Sequence, residues 1–277
     1  MSGLDGLDAL STDAEGTAAL SGTVGAAIVT INEAAPSLCG TLGSGGGAVS
    51  IAGAVTLCGD TTVSGTAVLF GSTVDSDASA RALTVNASGT TDFLGDVGAT
   101  QALGDVTTDA AGLTRFHGGA AALAVVQTSG TQTFNDAVEL VAEASGQTRR
   151  FASSNGAAIT FARTVDSPGA AARLVVDTSG VTTFGGAVGA NAALDSVTTD
   201  APGSVALDGG LVRTTGAQTY DDAVILGGPT SLVTIADGGL TAGGAFDGTA
   251  GTLTLDLGAG AAVLTNAAND FGVVEVA

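Results

Sequence analysis

The chain repeats itself over a long period, and this restricts its fold more than any other feature of the sequence. The tetrapeptide Val-Thr-Thr-Asp occurs at 106–109 and again at 197–200, and related nine-residue segments occur at 130–138 and 216–224. A partial third copy lies at 12–16. Self-similarity at a long period is typical of repeat proteins, in which each unit packs only on its neighbours. We therefore expect residues 1–277 to form a single elongated unit.

A shorter motif of the general form Thr-x-Phe recurs inside the long repeats. Phe70, Phe93 and Phe116 are evenly spaced, and the interval from Phe161 to Phe184 is the same. Apolar and polar residues alternate around these positions, and Gly, Asn, Asp or Ser separate the runs, which predicts short strands joined by turns. A coil of roughly 18–27 residues holds about three such strands, and coils stack about 4.8 Å apart. The sequence therefore predicts an all-β parallel β-solenoid of about a dozen coils, with no capping helix.

The large apolar residue of each motif copy is predicted to point inward. A coil cannot bury its own apolar face, so these residues should stack on one another along the core. The expected stack comprises Phe70, Phe93, Phe116, Phe134, Phe161, Phe184, Leu207, Tyr220 and Phe246.

The charge balance restricts the possible partners. The chain has 27 acidic residues against 7 basic ones, which gives a formal net charge of −20. Nucleic acids and anionic membranes bind clusters of Lys and Arg, so we expect neither partner. No apolar run reaches the length of roughly 18 residues that a membrane-spanning helix needs, so membrane insertion is not expected. The N-terminus shows no signal-peptide pattern, and export would have to be directed from outside this sequence.

The two cysteines are placed for a contact between neighbouring coils. Cys39 and Cys58 lie in identical Leu-Cys-Gly tripeptides separated by about the length of one coil. One coil apart and in register, their Cα atoms would be about 4.8 Å apart, which a disulfide tolerates. The sequence thus predicts either a disulfide or a pair of stacked thiols. A metal site needs further thiolates or imidazoles, and the only histidine, His117, is distant in the sequence.

We find no arrangement of residues that predicts catalysis or a bound cofactor. The carboxylates lie mostly at turns and recur with the repeat, as structural caps would. Weak Ca²⁺ binding at the acidic turns Asp75–Ser76–Asp77 or Asp221–Asp222 is compatible with the sequence. His117 and the pair Arg149–Arg150 are expected at the surface, the pair within an irregular corner at 142–154. Thr-x-Thr pairs are sporadic, so a flat threonine array on every coil is not expected.

The motifs GTQTFNDAV, GAQTYDDAV, GVTTFGGAV and LTNAANDFGVVEV resemble the β-strand-repeat regions of large bacterial surface adhesins, of the filamentous-haemagglutinin-like and autotransporter-like kind. The resemblance implies a right-handed parallel β-helix, an extracellular or cell-surface location and a non-enzymatic role as a stalk, fibre or adhesive surface. It implies a host or neighbouring-cell surface as partner, and no catalytic residue. A carbohydrate-active β-helix enzyme is the rival interpretation, and converging carboxylates in a single groove would favour it.

The outermost strands suggest a second structural interpretation. The sequence offers no cap at either end of the solenoid, and an uncovered strand is a template for pairing with another chain. Because the two ends differ, pairing one with the other does not close and would generate a filament. The alternative function is therefore a subunit that stacks head to tail through Leu4, Leu7, Val273, Val274 and Val276.

Overall fold

The chain folds into a parallel β-solenoid of about 11 turns, which confirms the predicted fold class. The computed structural model describes residues 4–13, 19–118, 123–266 and 269–276. These residues form 32 strands and no helix. Every pairing between strands in this part of the chain is parallel, as stacking of successive coils requires.

The strands in chain order are β1 (Leu4–Leu7), β2 (Leu10–Ser11), β3 (Ala19–Ala26), β4 (Val29–Ile31), β5 (Ser37–Ser44), β6 (Val49–Ile51), β7 (Val55–Leu57), β8 (Thr61–Gly65), β9 (Val68–Phe70), β10 (Val74–Ser76), β11 (Leu83–Ala87), β12 (Thr90–Phe93), β13 (Val106–Thr108), β14 (Leu113–Phe116), β15 (Leu123–Thr128) and β16 (Gln132–Phe134). They continue with β17 (Ala137–Leu140), β18 (Thr148–Ser153), β19 (Ile159–Phe161), β20 (Val165–Asp166), β21 (Arg173–Asp177), β22 (Val181–Phe184), β23 (Ser196–Thr199), β24 (Ser204–Leu207), β25 (Leu211–Thr214), β26 (Gln218–Tyr220), β27 (Ala223–Leu226), β28 (Thr230–Thr234), β29 (Leu240–Ala242), β30 (Phe246–Asp256), β31 (Ala262–Leu264) and β32 (Asp270–Val276).

The strands form three sheets of 17, 8 and 7 strands. The largest sheet turns corners at β5 and β30, each of which pairs with two strands of a neighbouring coil, so some coils contribute two strands to it. In the middle of the solenoid the three sheets form three faces, which we call the first, second and third faces in the same order. One coil contributes β16 to the first face, β17 to the second and β18 to the third. Along each strand the side chains alternate between the core and the surface, as in β11, where Leu83 and Val85 are buried and Thr84 is not. This alternation follows from the two-residue period of a strand.

The inward side chains join into one apolar core that runs along the solenoid, from Leu10 to Leu257. The nine predicted core residues are all buried. However, the structure distributes them over different inner columns. Phe70, Phe93 and Phe116 are on the second face, whereas Phe134 and the later motif phenylalanines are on the first.

The motif moves from one face to another because the spacing between two of its copies is shorter than one coil. Thr107 pairs with Thr133, and the chain between them is one full coil. The interval from Phe116 to Phe134 is much shorter than this coil. The motif therefore reappears before the coil is complete, on a different face.

Two parallel aromatic stacks result. Phe70 and Phe93 have ring centroids 4.9 Å apart at an interplanar angle of 2°, and Phe93 and Phe116 are 5.2 Å apart at 4°. In the other stack, Phe161 and Phe184 are 5.4 Å apart at 8°. Centroid distances of this size are those that aromatic pairs prefer, so the coil repeat itself sets the stacking.

Phe151 joins the two stacks and is not among the core residues predicted from the sequence. Its ring meets Phe116, Phe134 and Phe161 edge-on, with centroids 5.0, 5.5 and 5.1 Å away. Phe151 lies in β18, within the segment that was predicted to be an irregular corner. That prediction is wrong for 148–153, because this segment pairs with β15 and β21 as a regular strand of the third face.

Two glycines at equivalent corners of the long repeat show why these positions cannot carry a side chain. Gly98 and Gly189 both have a φ of 72°, a conformation that residues with a Cβ atom resist. A Cβ atom on either would also lie 2.1 Å from a carbonyl oxygen of the next coil, that of Gln127 or of Arg213. Close contact between coils therefore requires glycine at both corners.

Candidate functional site

The most regular surface feature is a column of threonines on the first face, which we call the threonine ladder. The strand pairing aligns Thr with Thr on eight successive coils, and each side chain points outward. The members are Thr23, Thr41, Thr62, Thr84, Thr107, Thr133, Thr160 and Thr183. With coils about 4.8 Å apart, the hydroxyl groups form a row roughly 34 Å long.

The threonine ladder is uncharged and its hydroxyl groups are free. None of them hydrogen-bonds to another residue within the described parts of the chain. Inward threonines behave differently: Thr108 and Thr114 both donate their hydroxyl protons to Asp136. The ladder thus presents donors, acceptors and methyl groups to solvent at a constant interval. The column ends where Ala206 pairs with Thr183.

The outward column of the second face is different in character. Asp92, Arg115 and Glu139 follow one another on successive coils. The Arg115 Nε donates to Glu139 at 2.8 Å, and His117 Nε2 is 2.9 Å from Asp92 Oδ1. The Glu139 hydrogen bond raises the pKa of Arg115 further. Alternating charges at the coil interval stabilise this face weakly, because the groups are partly exposed.

The threonine ladder was not predicted from the sequence. The expectation against a flat array concerned Thr-x-Thr pairs on every coil, whereas the ladder is a single column of threonines on eight coils. The interval from Thr23 to Thr41 is much shorter than that from Thr133 to Thr160. No fixed period aligns these positions. The signal in the sequence was weak, because only Thr84 and Thr160 among the eight stand between two large apolar residues.

Many aspartates serve as caps between coils. The Asp105 carboxylate accepts hydrogen bonds from the backbone N–H and the hydroxyl of Thr131, at 2.6 and 2.8 Å. Asp200 accepts from the N–H of Thr178 at 2.9 Å. Backbone N–H groups at a corner have no partner in the hydrogen bonding between strands, and these carboxylates supply one. The carboxylates are therefore distributed along the rod with the repeat.

The acidic turn at 75–77 makes similar contacts. Asp75 accepts from the N–H groups of Thr100 and Gln101 at 2.8 and 3.1 Å. Asp77 pairs with Arg81 at 2.8 Å, and this hydrogen bond lowers the pKa of Asp77. Among the residues that the structure describes, no three His, Cys, Asp or Glu side chains converge to hold a metal ion. Weak Ca²⁺ binding stays a prediction.

Cys39 and Cys58 are joined by a disulfide, with their Cα atoms 4.9 Å apart. The register is set by the pairing of Leu38 with Leu57, each of which directly precedes one of the two cysteines. The bond therefore ties together two successive coils. It lies near the N-terminal end of the threonine ladder, where Thr41 follows Cys39 on the same strand.

Arg149 is buried, contrary to its predicted place at a surface corner. Only 1% of it is exposed. Its guanidinium donates hydrogen bonds to the carbonyl oxygens of Val141 and Thr148, and burial lowers its pKa.

A surface cavity of about 200 Å³ lies nearby, lined by Leu94, His117, Val141 and Glu143. The His117 imidazole is held by Asp92, and Glu143 is the one carboxylate of the lining. Glycosidases place two carboxylates on either side of the scissile bond. Among the described residues of this lining, no second carboxylate faces Glu143 as glycoside hydrolysis would need.

The residues predicted to mediate assembly lie on the outer strands. Val273, Val274 and Val276 are 52%, 42% and 81% exposed. Their strand, β32, pairs with β30. Leu4 and Leu7 belong to β1, whose backbone pairs with β3, but their side chains lie outside the described part of the chain.

No protein-family model matches this chain, and no curated protein or solved structure is significantly similar to it. Among the described residues, no helix is long and apolar enough to cross a bilayer.

Proposed function

We propose that this chain is a non-enzymatic structural protein, the β-solenoid body of an extracellular adhesin or fibre on a bacterial surface. The observation that carries the proposal is the continuity of the molecule. A single apolar core runs through about 11 turns, and the strand ladder continues from coil to coil. A stiff rod of this kind holds surfaces at a distance and repeats the same contact many times.

The use of the carboxylates favours a scaffold over an enzyme. Glycoside hydrolysis needs two carboxylates facing one bond. Here Asp75, Asp105 and Asp200 each accept backbone hydrogen bonds from an adjacent coil. The acidic side chains thus hold coils together. Their excess charge keeps neighbouring rods apart and in solution.

The threonine ladder is the surface that we assign to adhesion. Its free hydroxyl groups and methyl groups repeat on eight coils without a charge, so a partner surface with many hydroxyl or carbonyl groups would be contacted at many points at once. Such repetition raises overall affinity far above that of a single contact. The partner class is a host or neighbouring-cell surface.

Adhesion through the ladder can be tested with substitutions that remove hydroxyl groups and keep side-chain shape. The triple variant T107V/T133V/T160V should reduce retention of protein-coated beads on layers of bacterial or epithelial cells under flow. Each lost net hydrogen bond is worth about 1 kcal/mol, so we expect at least about a tenfold loss. The matched control is T198V/T219V/T241V, an aligned outward column on the third face. Equal retention of parent and ladder variant would contradict this assignment.

The scaffold role itself has a separate test. The purified protein should be a rod on the order of 50 Å long in negative-stain images, from about 11 turns of about 4.8 Å each. Incubation with neutral and acidic polysaccharides should release no reducing ends or unsaturated products. Turnover that disappears in variants of His117 or Glu143 would instead support the carbohydrate-active interpretation.

A filament subunit is the second candidate, and the exposed valines of β32 favour it. Val273, Val274 and Val276 present apolar surface on a strand that pairs with β30 in the described part of the chain. Parallel addition of β1 from another copy would cover this strand. Both structural roles use the same rod, and they differ in whether copies join end to end.

A further inference from the structure

The two long repeats differ at one buried carboxylate, and this difference carries an inference that does not depend on the proposed function. Asp136 and Asp222 occupy equivalent positions, two residues after Phe134 and Tyr220 respectively. They are 2% and 1% exposed. Both therefore lie inside the solenoid, where a charged group needs hydrogen-bond partners to be tolerated.

Asp136 has those partners. Its Oδ1 accepts a hydrogen bond from the Thr108 hydroxyl at 2.6 Å, and its Oδ2 accepts one from the Thr114 hydroxyl at 2.8 Å. Both threonines belong to the preceding coil, as the pairing of Thr114 with Val138 shows. The carboxylate thus bridges two strands of that coil.

Asp222 lacks both bonds. The position equivalent to Thr114 is Val205, which pairs with Val224 in the same register. The position equivalent to Thr108 is Thr199, whose hydroxyl is left without a partner, as are both carboxylate oxygens of Asp222. One donor is thus lost by substitution and the other is out of hydrogen-bonding geometry. The buried carboxylate faces an apolar side chain where its counterpart faces a hydroxyl.

The acidic groups around Asp222 make its ionisation inside the solenoid less favourable. Asp200, in the coil that carries Val205, and Asp221, the preceding residue, are both acidic and act on it electrostatically. Gly203 leaves room for the carboxylate, since a Cβ atom there would lie 2.7 Å from Asp222 Oδ1. The neighbouring Tyr220 hydroxyl is directed to Gln218 Oε1 at 3.1 Å and does not compensate the charge.

We propose that Asp222 is a pH-sensitive joint of the solenoid, which loosens the coils around 199–224 when it is ionised and tightens them when it is protonated. Burial, followed by the field of Asp200, raises the pKa of Asp222 to about 6, although the nearby Thr199 hydroxyl lowers it in part. An acid with a raised pKa binds more protons in the folded state than in the unfolded state. Its effect therefore favours folding increasingly as the pH falls from above 6 towards the ordinary value of 3.8.

The test compares unfolding by urea at pH 4 and pH 8, in buffers with EDTA, for the parent, D222N, V205T and D136N. Many acids contribute to the pH dependence of the parent, so the difference between parent and D222N is the informative quantity. We therefore compare the folding equilibrium constant of D222N with that of the parent at each pH. The ratio of D222N to parent should be about a hundredfold larger at pH 8 than at pH 4, since each pKa unit is tenfold. V205T restores the missing donor, so its stability should depend less on pH than that of the parent. Burial also raises the pKa of Asp136, but the Thr108 and Thr114 hydroxyls lower it, so D136N should show the same change to a smaller extent than D222N.

Two direct measurements keep the proposal testable if a variant folds poorly. In protein labelled at the aspartate carboxyl carbons, the resonance that is absent in D222N should titrate near pH 6. Hydrogen exchange at 199–224, corrected for the intrinsic rate, should slow on acidification more than exchange at the sister segment 108–138. Parallel pH curves for parent and D222N, or a resonance that titrates near 4, would overturn the proposal.

Discussion

At the level of single residues, Phe161 shows that one side chain can pack against several rings of neighbouring coils. Its ring contacts Phe134 and Phe184 on its own face and Phe151 from the third face, with centroids 5.1–5.4 Å away. Phe184 is equally buried but stacks on Phe161 alone among the rings described. Removing Phe161 therefore opens a cavity shared by three coils, which the surrounding strands cannot close without breaking their register.

Substitution of Phe161 by alanine is expected to lower the free energy of unfolding by about 3–5 kcal/mol, and F184A by an amount towards the lower end of that range. Urea unfolding followed by far-UV circular dichroism measures both. I225A, at a position 44% exposed, is the control and should change stability little. Parent-like stability of F161A would show that the aromatic stacks do not support the core.

At the level of elements, the corners between strands decide how closely coils approach. Gly98 and Gly189 stand at equivalent corners in the two long repeats, with the same φ and the same distance to a carbonyl of the next coil. The corner, rather than the strand, is therefore the part of the repeat least tolerant of a side chain. The strands between corners tolerate variation outward, as the threonine ladder and the charged column of the second face show.

G189A should destabilise the fold by several kcal/mol, because it combines a strained φ with a clash against a backbone oxygen. G228A is the matched control: Gly228 has no atom within 4 Å of an added Cβ and no positive φ, so its effect should be within about 1 kcal/mol. Thermal unfolding compares the two. Similar losses in both variants would mean that corner contacts do not limit the approach of coils.

At the level of the whole molecule, the proposed assembly would depend on the outer strands and on the net charge of −20. End-to-end pairing would cover the valines of β32, whereas contact between the sides of two rods brings acidic surfaces together. Such repulsion is screened by salt over a Debye length of about 8–10 Å. We therefore expect end-to-end association to precede lateral bundling, and bundling to increase with ionic strength.

The variant V274P tests end-to-end association, since proline removes a backbone donor from β32. If copies stack, light scattering of the parent should grow with concentration and V274P should stay monomeric. V276A keeps every backbone donor and should behave like the parent. A parent that remains monodisperse at high concentration, with V274P indistinguishable from it, would exclude the filament and leave the single rod.

The class of fold and much of the core follow from the amino-acid sequence alone. Alternation of apolar and polar residues, Gly and Asp between the runs, and the recurring aromatic position are local signals, and a coil can be recognised from its own residues. The proximity of Cys39 and Cys58 could also be predicted, because each stands in a Leu-Cys-Gly tripeptide and the two tripeptides are one coil apart.

Which residues share a column follows from the tertiary structure instead. Coil length varies, since the step from Thr23 to Thr41 is much shorter than the step from Thr133 to Thr160, so sequence spacing does not give the register between coils. The threonine ladder, the transfer of the Thr-x-Phe motif between faces and the edge-on contacts of Phe151 all depend on that register. The surroundings of Asp222 and Asp136 depend on it too, because they come from a neighbouring coil whose position is fixed by side-chain packing rather than by distance along the chain.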